Sequence, residues 1–431
     1  MQSFLDDKVT LYGGDNREVL RGLADNSIDS IVTDPPYALV SIVERFGKEG
    51  AAPAKGEMYS GAFAGFMGKQ WDTGEVAFDP EFWRECLRVL KPGGHMIAFS
   101  GTRTYHRLAV AIEDAGFEVR DQLAWLYGSG FPKSIDAAFA IEKTLCRREG
   151  EGEDARWVYK SDGAELVRGE WRHPAAAEWE GWQTALKPAW EPICLARKTI
   201  GKSTIVANLL KWCAGALNID GCRVPTSETI TATRNVALGS SSSGVYGAAS
   251  VPGVYEQSEG GRYPANILHD GSPQILAMFP QSKSSGGQDT NGNAEALRMG
   301  RTSGQGANSG GLGDVGSAGR FFYSAKADAH DRIGSKHPTV KPVDLMQWCV
   351  RLVTPKGGVT LDPFAGTGTT GEAAFREGCR AVLIEREPEY QQDIARRMAL
   401  ALAGPDERKR ESIKAKEGEK PFEAGSLFAG L

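Results

Sequence analysis

Two short segments of this 431-residue chain carry residue types that could do chemistry together. Thr33-Asp34-Pro35-Pro36-Tyr37 follows a run, Ser27 to Val32, that reads as a short buried strand. A carboxylate, two rigid prolines and an aromatic ring therefore stand at the strand's carboxyl end, where open α/β sheets place their active sites. More than three hundred residues later comes Leu361-Asp362-Pro363-Phe364-Ala365-Gly366-Thr367-Gly368-Thr369-Thr370, a strand ending in an acid and then a Gly-x-Gly turn opening a helix. A nucleotide-like ligand can lie over such a strand end and against the helix amino terminus, because glycines at 366 and 368 put no β-carbon in its way. Glu385, 17 residues after Gly368, closes the next strand and is placed to hydrogen-bond a ribose diol. The absence of a third glycine at the dinucleotide spacing argues against NAD. The first segment reads as a catalytic loop and the second as a cofactor loop.

The elements that must position these loops follow from hydrophobic periodicity. Residues 8–13 and 28–33 read as strands, with a helix from about Asn16 to Leu23 between them, a βαβ start. Phe82, Cys86, Leu87 and Leu90 recur at helical spacing, and Lys91-Pro92-Gly93-Gly94 is expected to stop that helix before a strand from His95 to Ser100. Tyr105 to Ala115 reads as helix, Phe117 to Tyr127 as an alternating strand, and the apolar run Ile193 to Ala196 as a strand able to pair antiparallel with it. Order returns late in the chain with a helix over 342–353, a strand over 359–361, a helix over 369–377 and a strand over 381–384.

Between these blocks the character changes. From about Gly201 to Lys336 Gly, Ser, Asn and Thr accumulate, as in Gly239-Ser240-Ser241-Ser242-Ser243-Gly244, and periodicity weakens, which predicts a loop-rich insertion. Residues 38–72 read as a flexible flap following the catalytic loop, and 405–420 alternate in charge sign as a solvated helix or tail. The expected organisation is 1–199 as the catalytic half of a core, with 134–183 unassigned, 200–335 as a target-recognition region, 336–403 as the cofactor-binding half and 404–431 as a charged tail.

Composition narrows the class. A net charge of -5 and a pI near 5.8 give no global basic signature, so nucleic-acid contacts must come from local patches. Residues 181–240 carry Lys187, Arg197, Lys198, Lys202, Lys211, Arg223 and Arg234 against three acids, a local +4, and Arg298, Arg301, Arg320 and Lys326 follow. Such charges suit phosphates, and some arginines guanine edges. The seven cysteines form no CxxC pair, and Cys213 and Cys222 with His269 or His337 lack the tight ligand pairs of structural zinc, so no metal is expected. The start of the chain has no signal-peptide pattern, and no apolar run approaches the ~20 residues of a membrane span. These features predict a reducing, cytoplasmic setting and no membrane partner.

Asp-Pro-Pro-Tyr together with Asp-Pro-Phe-Ala-Gly-Thr-Gly-Thr-Thr resembles the paired motifs of amino-directed DNA methyltransferases, which use S-adenosylmethionine. The catalytic motif preceding the cofactor motif is similar to the permuted β group of that family, particularly phage and prophage adenine-type enzymes. The resemblance covers roughly residues 8–128 and 185–400. It implies an α/β, Rossmann-like class I methyltransferase core, circularly permuted, mostly parallel with one antiparallel strand, and interrupted by the recognition region. It implies that Phe364, Gly366 and Gly368, with Asp362, Ala365 and Thr367 around them, line the cofactor pocket, that Glu385 takes the ribose hydroxyls and that Asp15 lies near the adenine. His337-Pro338-Thr339-Val340-Lys341-Pro342 looks like the segment holding the methionine part, with Thr339 and Lys341 suited to its carboxylate. Asp15 reads equally well as a helix N-cap. The partner implied is double-stranded DNA, in a bacterial cell or phage-infected host. A homodimer is compatible with the pattern, and a restriction-endonuclease partner is left unassigned.

In this reading Asp34 accepts one hydrogen of an exocyclic amino group and the Pro35 carbonyl the other. The nitrogen lone pair is thereby localised toward a sulfonium methyl. Pro35 and Pro36 fix that carbonyl, and Tyr37 offers a face for a flipped base. Aspartate before Pro-Pro-Tyr favours the N6 amino group of adenine, with N4 of cytosine as the alternative. Methylation at cytosine C5 is disfavoured because no cysteine follows a proline. Three rivals remain. Ala196-Arg197-Lys198-Thr199-Ile200-Gly201-Lys202-Ser203 nearly fits the phosphate loop of a P-loop ATPase, but lacks its first glycine. A non-catalytic DNA-binding module would not require the complete motif set, and amide-directed relatives carry asparagine where this chain has Asp34.

Overall fold

The computed structural model describes residues 1–37, 76–130, 134–150, 155–225, 231–237, 250–256, 261–283, 315–325, 329–335, 337, 339–404, 407–408 and 410. The expected flap at 38–72, most of the charged tail, and Arg298, Arg301 and Lys326 lie outside them. The chain forms two compact units, residues 1–126 with 191–431, and residues 127–190.

In the larger unit the strands β1 (Gln2–Phe4), β2 (Val9–Gly13), β3 (Ile28–Thr33), β4 (Leu90–Phe99) and β5 (Phe117–Leu126) alternate with the helices α1 (Asn16–Gly22), α2 (Pro80–Val89) and α3 (Tyr105–Asp114). The smaller unit holds α4 (Ala137–Glu142), the antiparallel pair β6 (Cys146–Glu149) and β7 (Arg156–Tyr159), and α5 (Pro174–Glu178). Next come β8 (Trp190–Lys198), α6 (Ile205–Trp212), the antiparallel pair β9 (Thr231–Ala237) and β10 (Ser250–Glu256), and then β11 (Ile267–His269) and α7 (Pro273–Met278). A second short pair, β12 (Gln281–Lys283) and β13 (Val315–Ser317), precedes β14 (Tyr323–Ser324). The chain continues through α8 (Val343–Val353), β15 (Val359–Asp362), α9 (Thr369–Arg376), β16 (Arg380–Glu385) and α10 (Pro388–Ala399).

Ten strands form one sheet in the order β1-β2-β16-β15-β3-β4-β8-β5-β11-β14. The pairs β2/β16, β16/β15, β15/β3 and β3/β4 are parallel, as are β5/β11 and β11/β14. The expected antiparallel strand is β8, inserted between β4 and β5 with Phe99 opposite Ile193, and the edge strand β1 is a second. The late strands β15 and β16 lie between the early strands β2 and β3, so the two ends of the chain build one central sheet. Opposite faces are read from alternation along β16. Ile384 joins Leu20, Phe82, Trp83, Leu108 and Ile112 of α1, α2 and α3, whereas Leu383 lies under Gly371 of α9. Helix α2 shows why such a segment folds: Asp79 caps it, Pro80 occupies its first turn, and Phe82, Trp83, Cys86 and Val89 are buried on one stripe. Each large apolar side chain buried there contributes on the order of 1.5–3 kcal/mol.

One expectation is corrected. Lys91-Pro92-Gly93-Gly94 does not separate helix from strand, because β4 begins at Leu90 and runs through it. Pairing with β3 jumps from Ile28/Leu90 to Ser30/His95, so the extra residues bulge, and the Asn208 amide of α6 holds the bulge by donating to Pro92 O at 2.9 Å. Within the stretch 200–335, β11 and β14, of three and two residues, extend the main sheet. The unassigned stretch 134–183 falls within the smaller unit. There buried Glu142 accepts from the Tyr159 hydroxyl at 2.8 Å and from the amides of Arg172 and His173, each at 2.9 Å.

One buried ion pair anchors the cofactor half. Glu372 in α9, fully buried, pairs with Arg397 of α10 at 3.0 Å, with Arg376 at 2.7 Å and with Arg408. Arg397 is 1% exposed and also donates to the Thr367 carbonyl at 2.7 Å. Removing one member of a buried pair strands the other's charge. Glu372→Ala should therefore lower stability by about 3–5 kcal/mol, read as a fall in the urea midpoint. Arg147→Ala, which breaks an exposed pair with Glu149 in the smaller unit, should change it by less than about 1 kcal/mol.

Candidate active site

The chemistry-bearing residues converge on the edge of the sheet formed by the carboxyl ends of its parallel strands. Strand β3 delivers Asp34 to Tyr37, β15 delivers the loop 362–368, β16 delivers Glu385, and β2 delivers Asp15. Because β8 runs opposite to β4, its first residues rather than its last reach this edge, and they bring Glu191.

The catalytic loop is built around one ammonium. Lys341, 8% exposed at the entry to α8, donates to Asp34 Oδ2 at 2.8 Å, to Glu191 Oε2 at 3.0 Å and to the Tyr37 hydroxyl at 2.9 Å. The Tyr37 hydroxyl in turn donates to Glu191 Oε2 at 3.1 Å, and the Tyr37 carbonyl accepts from Thr104 Oγ1 at 2.7 Å. The Lys341 ammonium also lies 5.2 Å from the centre of the Tyr37 ring and 5.0 Å from that of Phe99. Burial by itself would lower its pKa, but the carboxylates of Asp34 and Glu191 outweigh burial, and the result is raised. Burial and the same two carboxylates push the Tyr37 phenol well above its ordinary value. Pro35 is buried and Pro36 partly so. Asp34 Oδ1 is itself buried and has no hydrogen-bond partner among the described residues.

The cofactor loop is joined to the catalytic loop through Asp362. Its carboxylate accepts from Thr33 Oγ1 of β3 at 2.7 Å, from Thr370 Oγ1 of α9 at 2.5 Å and from the Phe364 amide at 3.1 Å. Burial raises its pKa to about 6 against the pull of those donors. Gly366 and Gly368 have φ of +52° and +78°, conformations that L side chains rarely adopt. A β-carbon at 368 would also lie 3.0 Å from Ile394, and one at 366 would lie 3.4 Å from His337 Nε2. Ala365 before these glycines and Thr367 between them are buried, and the partly buried Phe364 ring packs 5.1 Å from that of Phe82. Glu385 accepts the Gly366 and Glu387 amides, each at 2.8 Å, and burial raises its pKa to about 7. The Asn16 amide donates to the Pro363 carbonyl at 3.1 Å, which brings α1 to the same loop.

Several expected residues take other partners here. Lys341 meets carboxylates of the chain itself. Asp15 is the N-cap of α1, accepting from the Arg17 amide at 2.8 Å. Thr339 is exposed, with its carbonyl 2.6 Å from His337 Nδ1. Of the basic residues set aside for DNA, Arg197 pairs with Glu118 at 2.5 Å, Arg223 bonds Asp220 at 2.8 Å, and Lys198 donates to Asn26 and two backbone carbonyls. The near-match to a phosphate loop is the turn leaving the antiparallel strand β8 for α6, with Lys202 exposed. Sequence reasoning missed Glu191, Thr33 and Thr104 as parts of the site. The one available signal was an acid set between Trp190 and Pro192 at the start of an apolar strand.

The ion pairs give a test of their own. Lys341→Met leaves Asp34 and Glu191 facing each other without a counter-charge, so it should cost on the order of 3–5 kcal/mol near neutral pH. Adding Glu191→Gln to Lys341→Met should recover part of that loss, a coupling seen in a thermal-denaturation double-mutant cycle. Because the Lys341 pKa is raised on folding, the wild-type contribution is fully present below the ordinary lysine pKa and is lost as pH rises through the folded value.

Comparison with known proteins bears on this geometry. Type II methyltransferase M.HindIII of Haemophilus influenzae is 26% identical over 226 residues, 48% of this chain and 64% of that protein. Type II methyltransferase M2.DpnII of Streptococcus pneumoniae is 43% identical over 60 residues, 14% of this chain and 22% of that protein. The chain thus spans less than two thirds of either relative. Among solved structures, the PvuII cytosine-N4-specific DNA methyltransferase is 16% identical with a TM-score of 0.42, covering 96% of this chain and 94% of that one. The M1.HpyAVI complex with SAM is 14% identical with a TM-score of 0.38, covering 90% and 98%. The N6/N4 family model described as DNA methylase matches residues 28–396, which include the catalytic loop, the cofactor loop, Glu191, Lys341 and Glu385. The chain belongs to the DNA methylase family.

Proposed function

We propose that this protein is a site-specific DNA methyltransferase that moves a methyl group from S-adenosylmethionine to the N6 amino group of adenine in duplex DNA, by direct displacement on a flipped base. The observation that carries the reading is the Asp34 carboxylate. One oxygen is fixed by Lys341, and the other is buried, without a hydrogen-bond partner among the described residues, and suited to a donor. An exocyclic amino hydrogen is such a donor. The Pro35 carbonyl accepts the second hydrogen, and the nitrogen lone pair is freed for attack. Tyr37, held at both its carbonyl and its hydroxyl, presents its ring as the stacking surface for the extruded base.

The cofactor loop fits S-adenosylmethionine. Gly366 and Gly368 make the positive-φ turn of the loop, where a β-carbon would press on His337 and Ile394, and Glu385 offers a buried carboxylate whose present donors are backbone amides. Bound there, the cofactor supplies an electrophilic sulfonium methyl. Asp15, Phe364, Ala365, Thr367 and Thr339 complete the assignment, with Asp362 holding the loop to β3. Residues 200–335 are assigned to target recognition, and double-stranded DNA is the partner. The setting is assigned as cytoplasmic; no helix among the described residues is long and apolar enough to cross a membrane.

Two measurements test this. Unmethylated DNA incubated with protein and S-adenosylmethionine should yield N6-methyladenine by nucleoside mass spectrometry, and Asp34→Ala should reduce it by at least about a hundredfold. N4-methylcytosine in its place would keep the mechanism and change the target, whereas no modified base despite cofactor binding would reject the reading. A ribose diol donating to ionised Glu385 lowers a pKa that stands at about 7 in the free protein. Cofactor affinity should therefore be flat above that value and weaken below it, approaching about tenfold per pH unit. Calorimetric titration across that range should show the slope, and Glu385→Ala should abolish it.

A further inference from the structure

We propose that Glu191, which the motif reading leaves without a role, is a positioning residue for methyl transfer. Through Lys341 and the Tyr37 hydroxyl it sets both the charge of Asp34 and the orientation of the stacking ring. The proposal rests on the methyltransferase reading and adds a residue to it. Lys341 has three N–H donors and spends one each on Asp34, Glu191 and Tyr37. Glu191 also accepts from the Tyr37 hydroxyl at 3.1 Å. The three side chains thus close a triangle around the ammonium, and Glu191 is the vertex that never touches the base.

Two consequences follow. If Lys341 faced Asp34 alone, one ammonium would neutralise one carboxylate, and Asp34 would be a weaker acceptor. With Glu191 sharing the ammonium, the cluster of two carboxylates and one cation keeps a net charge of -1. That negative potential favours an amino nitrogen that becomes positive as the methyl arrives. The second consequence is geometric. The Tyr37 ring is pinned at its carbonyl by Thr104 and at its hydroxyl by Glu191 and Lys341, so loss of Glu191 releases one end of the platform. The charged and titratable groups involved are Asp34 from the end of β3, Tyr37 from the loop after it, Glu191 from β8 and Lys341 from the segment before α8. His337, in that last segment, also feels the charges of Asp34 and Lys341.

The test compares wild type, Glu191→Gln and Glu191→Asp with unmethylated DNA and S-adenosylmethionine. Glu191→Gln should lower the single-turnover methylation rate roughly 10- to 100-fold while KM for the cofactor stays within about twofold. Glu191→Asp, which keeps the charge but is one methylene shorter, should restore part of the rate. An unchanged rate in Glu191→Gln would overturn the proposal. So would a rate lost only in step with melting temperature, or one that Glu191→Asp does not recover. A wild-type chain that methylates no DNA would remove the functional reading itself, a result distinct from either.

Discussion

The Asp362 carboxylate is the joint on which this site depends. It ends β15, and it takes one hydroxyl from Thr33, the last residue of the neighbouring strand, and another from Thr370 in the first turn of the helix that follows. A single buried acid therefore sets the spacing between the catalytic loop leaving β3 and the glycine loop leaving β15. The desolvation that raises its pKa to about 6 is the cost of that position, and three donors offset part of it. Were it an apolar residue, the strands could still pair, but the hydroxyl bonds from Thr33 and Thr370 that tie the two loops together would be lost.

Around that joint the sheet edge gathers four acids, Asp34, Glu191, Asp362 and Glu385, against the buried ammonium of Lys341. Collecting carboxylates at low dielectric opposes stability, and the raised pKa values of Asp362 and Glu385 record it. Under the proposed reaction both reactants bring or acquire positive charge, the sulfonium before transfer and the amine after it. The excess of acids suits that chemistry. A P-loop-like phosphate site would call for the opposite balance.

The sequence made the strands and helices around both loops legible because each has a clean period and a terminating residue. Asp15 and Asp79 cap their helices, and Pro80 opens one of them. The motif residues were legible because strand ends in a parallel sheet share one edge. The KPGG segment misled because a bulge held by a distant asparagine turns a loop composition into strand. The strands β11 and β14 were too short to show a period. Glu191 stayed hidden for a topological reason: the reversed direction of β8 brings its first residue pair to the active edge, and strand direction is not written in local pattern. Lys341 was legible as a ligand for a carboxylate, while whose carboxylate depended on packing.

The interleaving of late strands among early ones has a consequence for how the protein comes into being. Thr33 and Asp362 are 329 residues apart in the chain, and Tyr37 is 304 residues from Lys341. At ordinary rates of translation that interval lasts on the order of tens of seconds. During it β2 and β3 have been made, but β15 and β16, which fill the gap between them, have not. The nascent chain holds a sheet with its centre missing, and unpaired strand edges are exposed to mispairing. Ribosome-bound chains can thus carry the catalytic loop without its acid joint or its ammonium, and the centre of the sheet is complete only after β16 has been made.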